Sequence, residues 1–498
     1  VKPLEDGNWF LLSVGLEPRF QIIPCRPDII IILVPIGVTI NPHGLFSNDA
    51  EGGPMNQGFL RVKGQDFHFD GEKIILRGYG LGPLLNIEHF MLGMPGTDAQ
   101  IRSAIVQAYG EDKAEQFWKA YYRAMIDEAD FAFLKQLGVN SLRVSFNYRL
   151  FEDDQNPYVY RQDGFEEIDR ILRLCEEYEI FAILDLHATP GGQNPDWHSD
   201  NASGESLLWE HADFRKRTIA LWKHIATHYA SKRWIGAYDL LNEPVLMIAD
   251  KRVLNQFYLD LIREIRSVDS DHMIFVEGDF YATRFEMLDP FEDPNVALSF
   301  HFYPFLHQDS SDKASQKERV EEELLLSVPL EDIKARFNRP LWCGETGARF
   351  GHPGREKISS MLADVLDIFE ERGISWSIWA YKDARSMGSV HPKADSDWMR
   401  FSKQTSEGWN FWREFPARYE RADEVLKAFD YDIPEMEKHK LAFRLLANNM
   451  LIQKERYPGI YENIPFESLL GYVDSLRFEQ CEVWQAVIDL VKKHTGKR

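Results

Sequence analysis

Two glutamates in this 498-residue chain stand where a pair of carboxyl groups could act together. Glu243 lies in Leu241-Asn242-Glu243-Pro244 and Glu345 in Cys343-Gly344-Glu345-Thr346-Gly347, each where an apolar run ends. Cleaving an acetal bond needs two carboxyl groups on opposite sides of it. One protonates the leaving oxygen, and the other attacks or activates water. Other polar residues end other apolar runs: Arg143, His187, Asn242, His301 with Tyr303, and Trp379. One glutamate so placed is as readily a helix N-cap or a rim salt bridge; two, with Asn242 beside one, argue for chemistry. Zinc is the rival use of histidines at strand ends. Asp185-Leu186-His187 lacks an H-x-H spacing, however, and the chain has neither an H-E-x-x-H run nor a cysteine cluster. The pattern predicts no metal site.

Eight short runs read as strands: Ile74–Gly82, Ser141–Phe146, Phe181–His187, Tyr238–Glu243, Met273–Gly278, Val296–Tyr303, Leu341–Gly347 and Ser375–Asp383. Several are near-continuously apolar, as parallel strands covered on both faces must be. Between them run helical stripes such as Ile168, Ile171, Leu172, Cys175 and Leu254, Phe257, Leu261, Ile262, Ile265. Gly138 and Gly373 stand where helix C-caps belong. This alternation suits either a closed (β/α)8 barrel or an open doubly wound sheet. Polar residues at one strand end after another decide for the barrel, in which all eight loops surround one pocket. Gly78-Tyr79-Gly80-Leu81-Gly82 has neither the spacing of a dinucleotide loop nor a P-loop lysine. The expected organisation is an N-terminal β extension over 1–57, a catalytic α/β TIM barrel over 58–410 and a helical C-terminal extension over 411–498 packed on it. A hairpin, Phe59–Val62 and Phe67–Phe69 around Lys63-Gly64-Gln65, should close the barrel floor.

Leu241-Asn242-Glu243-Pro244, Asp185-Leu186-His187, His301-Phe302-Tyr303, Gly344-Glu345 and Trp379 follow the order of glycoside hydrolase family 5, which the chain resembles over roughly residues 58–383. The resemblance implies a retaining (β/α)8 glycosidase that works through a glycosyl-enzyme intermediate without metal or organic cofactor. Carried over by position, Glu243 is the general acid/base and Glu345 the nucleophile, with Arg143 and Tyr303 keeping Glu345 ionised and oriented. Asn242 binds the sugar 2-hydroxyl, His187 and His301 line the subsite, and Trp379 is the platform under the reacting ring. Glu243 must stay protonated near neutrality, which predicts a pocket less solvated and further from cations than that of Glu345. Asp185 to Asn194 is similar to the strand-end loop of the family's exo-acting β-1,3-glucanases, which favours β-glucans or gluco-oligosaccharides. Cellulose-type β-1,4 chains, and endo or exo action, stay open. Two other readings of the same residues are a barrel that binds carbohydrate without cleaving it and a transglycosylase. Trp197, Trp209 and Trp398, on the long loops Asn86–Gln116, Trp197–His211 and Asp383–Trp412, either wall further subsites or pack against the rim.

The bulk properties fit a neutral substrate. A formal net charge of −22 opposes nucleic acid and anionic membrane surfaces. Aromatics at 13 % supply rings for stacking on sugars as well as for the core. Four cysteines form no disulfide framework, and Cys175 and Cys343 read as buried thiols, whereas Cys25 and Cys481 are undecided. No signal peptide is visible, so secreted and cytoplasmic locations are both open, as is the oligomeric state. The apolar run Ile29 to Ile40, broken by Pro35 and Gly37, is too short to span a bilayer and reads as a buried strand or a leader.

Overall fold

The computed structural model describes residues 58–304, 315–347, 355–406, 409, 411–429 and 431–496, together with Phe20–Gln21 and Val34–Pro35. The chain divides into two units, Val1–Met55 and Asn56–Arg498. In the first, Phe20–Gln21 pairs antiparallel with Val34–Pro35. Cys25, and the expectation for the rest of Ile29 to Ile40, lie outside the described residues.

The second unit is built on eight parallel strands closed into a barrel: β1 Arg77–Gly80, β2 Ser141–Asn147, β3 Phe181–Ala188, β4 Ile235–Asp239, β5 Met273–Glu277, β6 Val296–His301, β7 Leu341–Thr346 and β8 Ser375–Ile378. Each pairs with its sequence neighbour, and Ile378 of β8 lies beside Tyr79 of β1 to complete the ring. This is the (β/α)8 barrel that the sequence pattern predicts.

Strand boundaries move, most at β1, β4 and β8, the last ending at Ile378 and not at Asp383. Glu72–Ile74 pairs with Asp66–Phe69, itself paired with Arg61–Lys63, so the floor is a three-stranded meander and β1 begins only at Arg77. β4 stops at Asp239, before Leu240-Leu241-Asn242, and Glu243 has φ of 51°, a left-handed conformation that no strand accommodates. The stretch Asn86–Gln116, read as a long loop, is mostly helical. A Thr97–Gln100 capping box starts the helix Asp98–Tyr109, and Gly110 (φ 84°) separates it from Glu111–Met125.

Alternate residues of each strand face the barrel axis. Phe181, Ile183, Ala237, Met273, Phe275 and Trp342 fill the lower layer and pack on Leu60, Phe67 and Leu76 of the floor. Their neighbours Leu184, Leu186, Ile274 and Val276 point outward into the helical layer. Two residues further along the inward series, apolar side chains give way to a buried polar layer of Arg143, Asp185, Asp239, Glu277 and Ser299. The helices bury single faces against the barrel. Gly164–Tyr178 buries Ile168, Ile171, Leu172 and Cys175, each large apolar side chain contributing about 1.5–3 kcal/mol. Gly138 and Gly373 (φ 76° and 66°) do follow helix ends, as their positions predict. Cys175 and Cys343 are buried free thiols.

Beyond the barrel, Phe411–Leu426 and Glu435–Gln453 pack together as a helical hairpin. The last helix, Gln485–Thr495, buries Val487, Ile488 and Val491 in the main core. No helix among the described residues is long and apolar enough to cross a membrane.

Candidate active site

The polar layer is organised by one cation. Arg143, fully buried on β2, donates from Nε to Asp239 (3.0 Å), from Nη1 to Glu345 Oε1 (2.5 Å) and from Nη2 to Asn242 Oδ1 (2.8 Å). Nη2 also stands 3.2 Å from Asp185 and 3.4 Å from Glu277. Burial alone would strip its charge, but the carboxylates of Asp185, Asp239, Glu345 and Glu277 reverse that and hold the proton on firmly. So many carboxyl groups cannot all ionise around it. Burial pushes Asp185 up to about 7 against the pull of Arg143, and burial with the nearby Glu277 drives Asp239 well above the carboxylate range.

Above this layer the two glutamates meet. A carboxylate oxygen of each and a ring nitrogen of His301 all lie within 4.8 Å of one another. Retaining glycosidases need their carboxyl groups about 5–5.5 Å apart, whereas inverting ones leave room for a water at roughly 6.5–9.5 Å. Glu345 ends β7 and is gripped on both oxygens, by Arg143 on Oε1 and by the Tyr303 hydroxyl on Oε2 (2.7 Å). Burial raises its pKa, but His301 and Arg143 outweigh that and hold the carboxyl below its ordinary value. Glu243 hangs from a left-handed turn, and its N–H donates to Glu277 Oε2 at 2.6 Å.

His301 lies between the carboxylates. Its Nδ1 donates to Glu243 Oε1 at 2.7 Å and is 3.7 Å from Glu345, while Nε2 is 3.1 Å from Glu277. Burial opposes a charge on this ring, yet Glu277 and Glu345, with hydrogen bonds to Glu243 and Glu277, raise its pKa well above the usual histidine value. Glu243, His301 and Glu345 could converge on a cation only if His301 gave up its Nδ1 proton, and that proton is engaged by Glu243.

The environment expected for Glu243 is reversed. Burial raises its pKa, but the hydrogen bond and charge of His301 and the charge of His198 hold it below the ordinary value. It is therefore closer to cations than the sequence reading requires, and in the resting site the proton sits on His301.

The remaining predicted residues converge on the same mouth. His187 donates from Nδ1 to Asp185 (2.7 Å) and lies parallel to the Trp379 ring, centroids 5.2 Å apart. Burial lowers its pKa to about 3, so it is neutral. Trp379 follows β8 and packs with Met91, Met387 and Tyr303. The glycines of the Gly78–Gly82 run serve packing, since a Cβ on Gly80 would overlap the Trp379 ring. Asn242 keeps Nδ2 on the pocket side, 3.5 Å from His198 Nδ1. Of the loop tryptophans, Trp209 and Trp398 are buried rim packing, with Nε1 donating to Gln193 and Leu92 carbonyls, whereas Trp197 adjoins the site through His198.

Four acidic groups and one histidine escaped the sequence reading. Glu277 ends β5 as Glu345 ends β7 and braces Glu243, His301 and Ser299, whose hydroxyl donates to it at 3.1 Å. That strand-end position was the available signal. His198 Nε2 is 3.6 Å from Glu243 and 3.7 Å from Asp196. Burial works against its charge, but the hydrogen bond to Asp196 with the charges of Glu243, Asp196 and Glu88 pushes it up to about 9. Glu88 is itself raised to about 8, by burial first. Asp239 is the fourth; like Asp185 it lies along an apolar run with nothing local to mark it.

The family model for cellulase, glycosyl hydrolase family 5, matches residues 102–385. The chain belongs to glycosyl hydrolase family 5. It is a glycoside hydrolase of the cellulase family, whose members work with retention. Over 358 residues, 68 % of this hydrolase, it is 36 % identical to the beta-xylosidase of Phanerodontia chrysosporium, covering 74 % of that protein. It is 28 % identical to endoglucanase C of Acetivibrio thermocellus over 53 % of its own length and 87 % of the relative. A glucan 1,3-beta-glucosidase of Candida oleophila is 29 % identical, over 45 % of this chain and 55 % of the relative.

Proposed function

We propose that this family 5 hydrolase cleaves β-glucosidic bonds in β-glucans or gluco-oligosaccharides by double displacement, with Glu345 as nucleophile and Glu243 as acid/base. One observation carries the reading: the two carboxyl groups approach within 4.8 Å while one is held ionised by Arg143 and Tyr303 and the other takes a proton-bearing histidine. Glu345 attacks the anomeric carbon as the bond to the leaving oxygen breaks. Glu243, recharged across its 2.7 Å hydrogen bond from His301, gives that oxygen its proton. Once Glu345 is esterified its negative charge is gone, so Glu243 loses a proton more readily and serves as base for the incoming water. Asn242, fixed by Arg143 through Oδ1, presents Nδ2 to the sugar 2-hydroxyl, and Trp379 supports the ring.

The 36 % identity to a beta-xylosidase supports a second reading, in which the transferred sugar is xylose. Hydrolysis rates on aryl β-glucosides and β-xylosides, with β-1,3- and β-1,4-glucans of defined length, separate the two. Glu345→Gln should abolish turnover of whichever is cleaved, and azide should restore part of the activity of Glu243→Ala on activated aryl glycosides. Turnover by Glu345→Gln above a few per cent of wild type would remove the nucleophile assignment.

A further inference from the structure

His198 reaches Glu243 from a single helical turn, Trp197–Ser199, in the loop after β3. Two anchors fix that turn. The first joins it to the acid/base: Asn194 donates from Nδ2 to the Glu243 carbonyl (3.0 Å), its Oδ1 accepts from the Asp196 N–H (3.0 Å), and its carbonyl accepts from the Ser199 hydroxyl (3.0 Å). The second is remote in sequence. Asn86, in the segment after β1, donates from Nδ2 to the His198 carbonyl at 2.8 Å.

Asn86 is held in turn by Asn147, the buried last residue of β2. Asn147 Nδ2 stands 3.2 Å from Asn86 Oδ1, 3.2 Å from Asp98 Oδ2 and 3.1 Å from Asp200 Oδ2, and Asp200 directly follows the His198 turn. Its own Oδ1 accepts from the Arg149 N–H at 3.0 Å. The two aspartates have cations as well: Arg102 Nε donates to Asp98 at 2.8 Å and Arg149 Nε to Asp200 at 2.7 Å. Each also accepts a backbone N–H, from Ile87 and from Ala99. One amide thus ties the end of β2 to the segments after β1 and β3, and its route to the site runs through the His198 backbone.

What the turn presents is a charge. His198 Nε2 lies 3.6 Å from Glu243 Oε2 and 3.7 Å from Asp196, which also accepts from the Tyr281 hydroxyl at 2.7 Å. Glu88 and His89 bear on the same ring from the segment after β1, and His187 from β3, its ring centroid 6.1 Å away. Glu243 itself is also met by His301 and Glu277. A cation within about 4–6 Å of a carboxyl group favours its ionised form, so a cation that moves away lets the carboxyl keep its proton to higher pH.

We propose that Asn147 is a positioning residue for the acid/base: through Asn86 and Asp200 it fixes how close the His198 charge stands to Glu243, and so sets the alkaline edge of activity. The inference rests on the reaction proposed above, in which Glu243 must carry a proton.

The test is the pH profile of kcat/KM on an aryl β-glycoside whose leaving phenol needs protonation, for wild type, Asn147→Ala, His198→Asn and the double variant. The alkaline limb should move to higher pH by about one unit in His198→Asn and by at least about half as much in Asn147→Ala. The double variant should match His198→Asn, because both changes act on the same charge. Asn86→Ala removes the bond to the His198 carbonyl and leaves Asn147 in place; it should repeat the shift, and it guards against an Asn147→Ala that misfolds. On a dinitrophenyl glycoside, whose leaving group needs no proton, no variant should shift the limb. Asparagine variants with a lower melting temperature and an unmoved limb would overturn the proposal and mark a scaffold. So would shifts that add in the double variant, a limb unmoved by His198→Asn, or equal shifts on the dinitrophenyl glycoside. Dinitrophenyl turnover that survives Glu345→Gln would instead overturn the assignment of the glutamates, and the inference with it.

Discussion

Tyr303→Phe removes one hydroxyl and leaves the ring, so it isolates a single hydrogen bond. That hydroxyl donates to Glu345 Oε2 at 2.7 Å inside a buried site. A hydrogen bond to a charged group contributes about 1.5–3 kcal/mol. One pKa unit corresponds to about 1.36 kcal/mol, so losing the bond should raise the pKa of Glu345 by about 1–2 units. The sign follows from the donor, which favours the ionised form. The Arg143 contact to Oε1 remains, so the nucleophile stays ionised at neutrality. Because the folded-state pKa of Glu345 is depressed, its stabilisation is present above the unfolded value of about 4.3 and fades as pH falls through the folded value. The assay is the pH profile of kcat/KM on an aryl glycoside, whose acid limb should move upward by about 1–2 units in the variant, with thermal stability lowered at pH 7 more than near pH 4. An acid limb that stays in place while activity falls would refute the reasoning, because the tyrosine would then act on the sugar and not on the charge of Glu345.

Three further expectations follow from the same geometry. Arg143→Met leaves a buried cluster of carboxyl groups without its cation, and breaking a buried ion pair costs about 3–5 kcal/mol, so calorimetry should show a lower melting temperature; an unchanged one would contradict the account. Gly80→Ala drives a methyl into the Trp379 ring, so tryptophan fluorescence should change and kcat/KM should fall about tenfold or more with the fold retained; wild-type kinetics would show that the ring is not held there. His198, pushed up to about 9, holds a positive charge beside Glu243 that lowers the pKa of that carboxyl, so in His198→Asn the alkaline limb of kcat/KM should move to higher pH. The sign follows from the lost positive charge, which lets Glu243 keep its proton longer, and an unmoved limb would mean that His301 alone sets it.

Much of this was legible in the sequence for a simple reason. Parallel strands covered on both faces must be apolar along most of their length, so a polar residue closing such a run stands out, as Glu345 does after Leu341-Trp342-Cys343. The same logic extends to Glu277, which closes Met273-Ile274-Phe275-Val276 just before Gly278 and so carries a local signal of the same kind as Glu345. His198 and Asp196 belong to a loop whose path is set by contacts with residues far away in the chain, so their approach to Glu243 had no local signal. The protonation of Glu243 has no local signal because it depends on two histidines brought in from β6 and from the loop after β3, and strand-end position says nothing about charge density. The extent of β4 is hidden for a related reason. Leu240-Leu241 is as apolar as any strand, and only the left-handed turn at Glu243 shows that the run serves to aim a side chain.

In the proposed reaction Glu345 forms the covalent intermediate. A fluorinated glucosyl fluoride slows release of the glycosyl-enzyme, so incubation followed by proteolysis and mass spectrometry can locate the attached sugar. The account predicts one sugar per chain, on the peptide containing Glu345, formed at a comparable rate in Glu243→Ala because fluoride needs no proton to leave. A label on any other residue, or stoichiometric inactivation of Glu345→Gln, would contradict it.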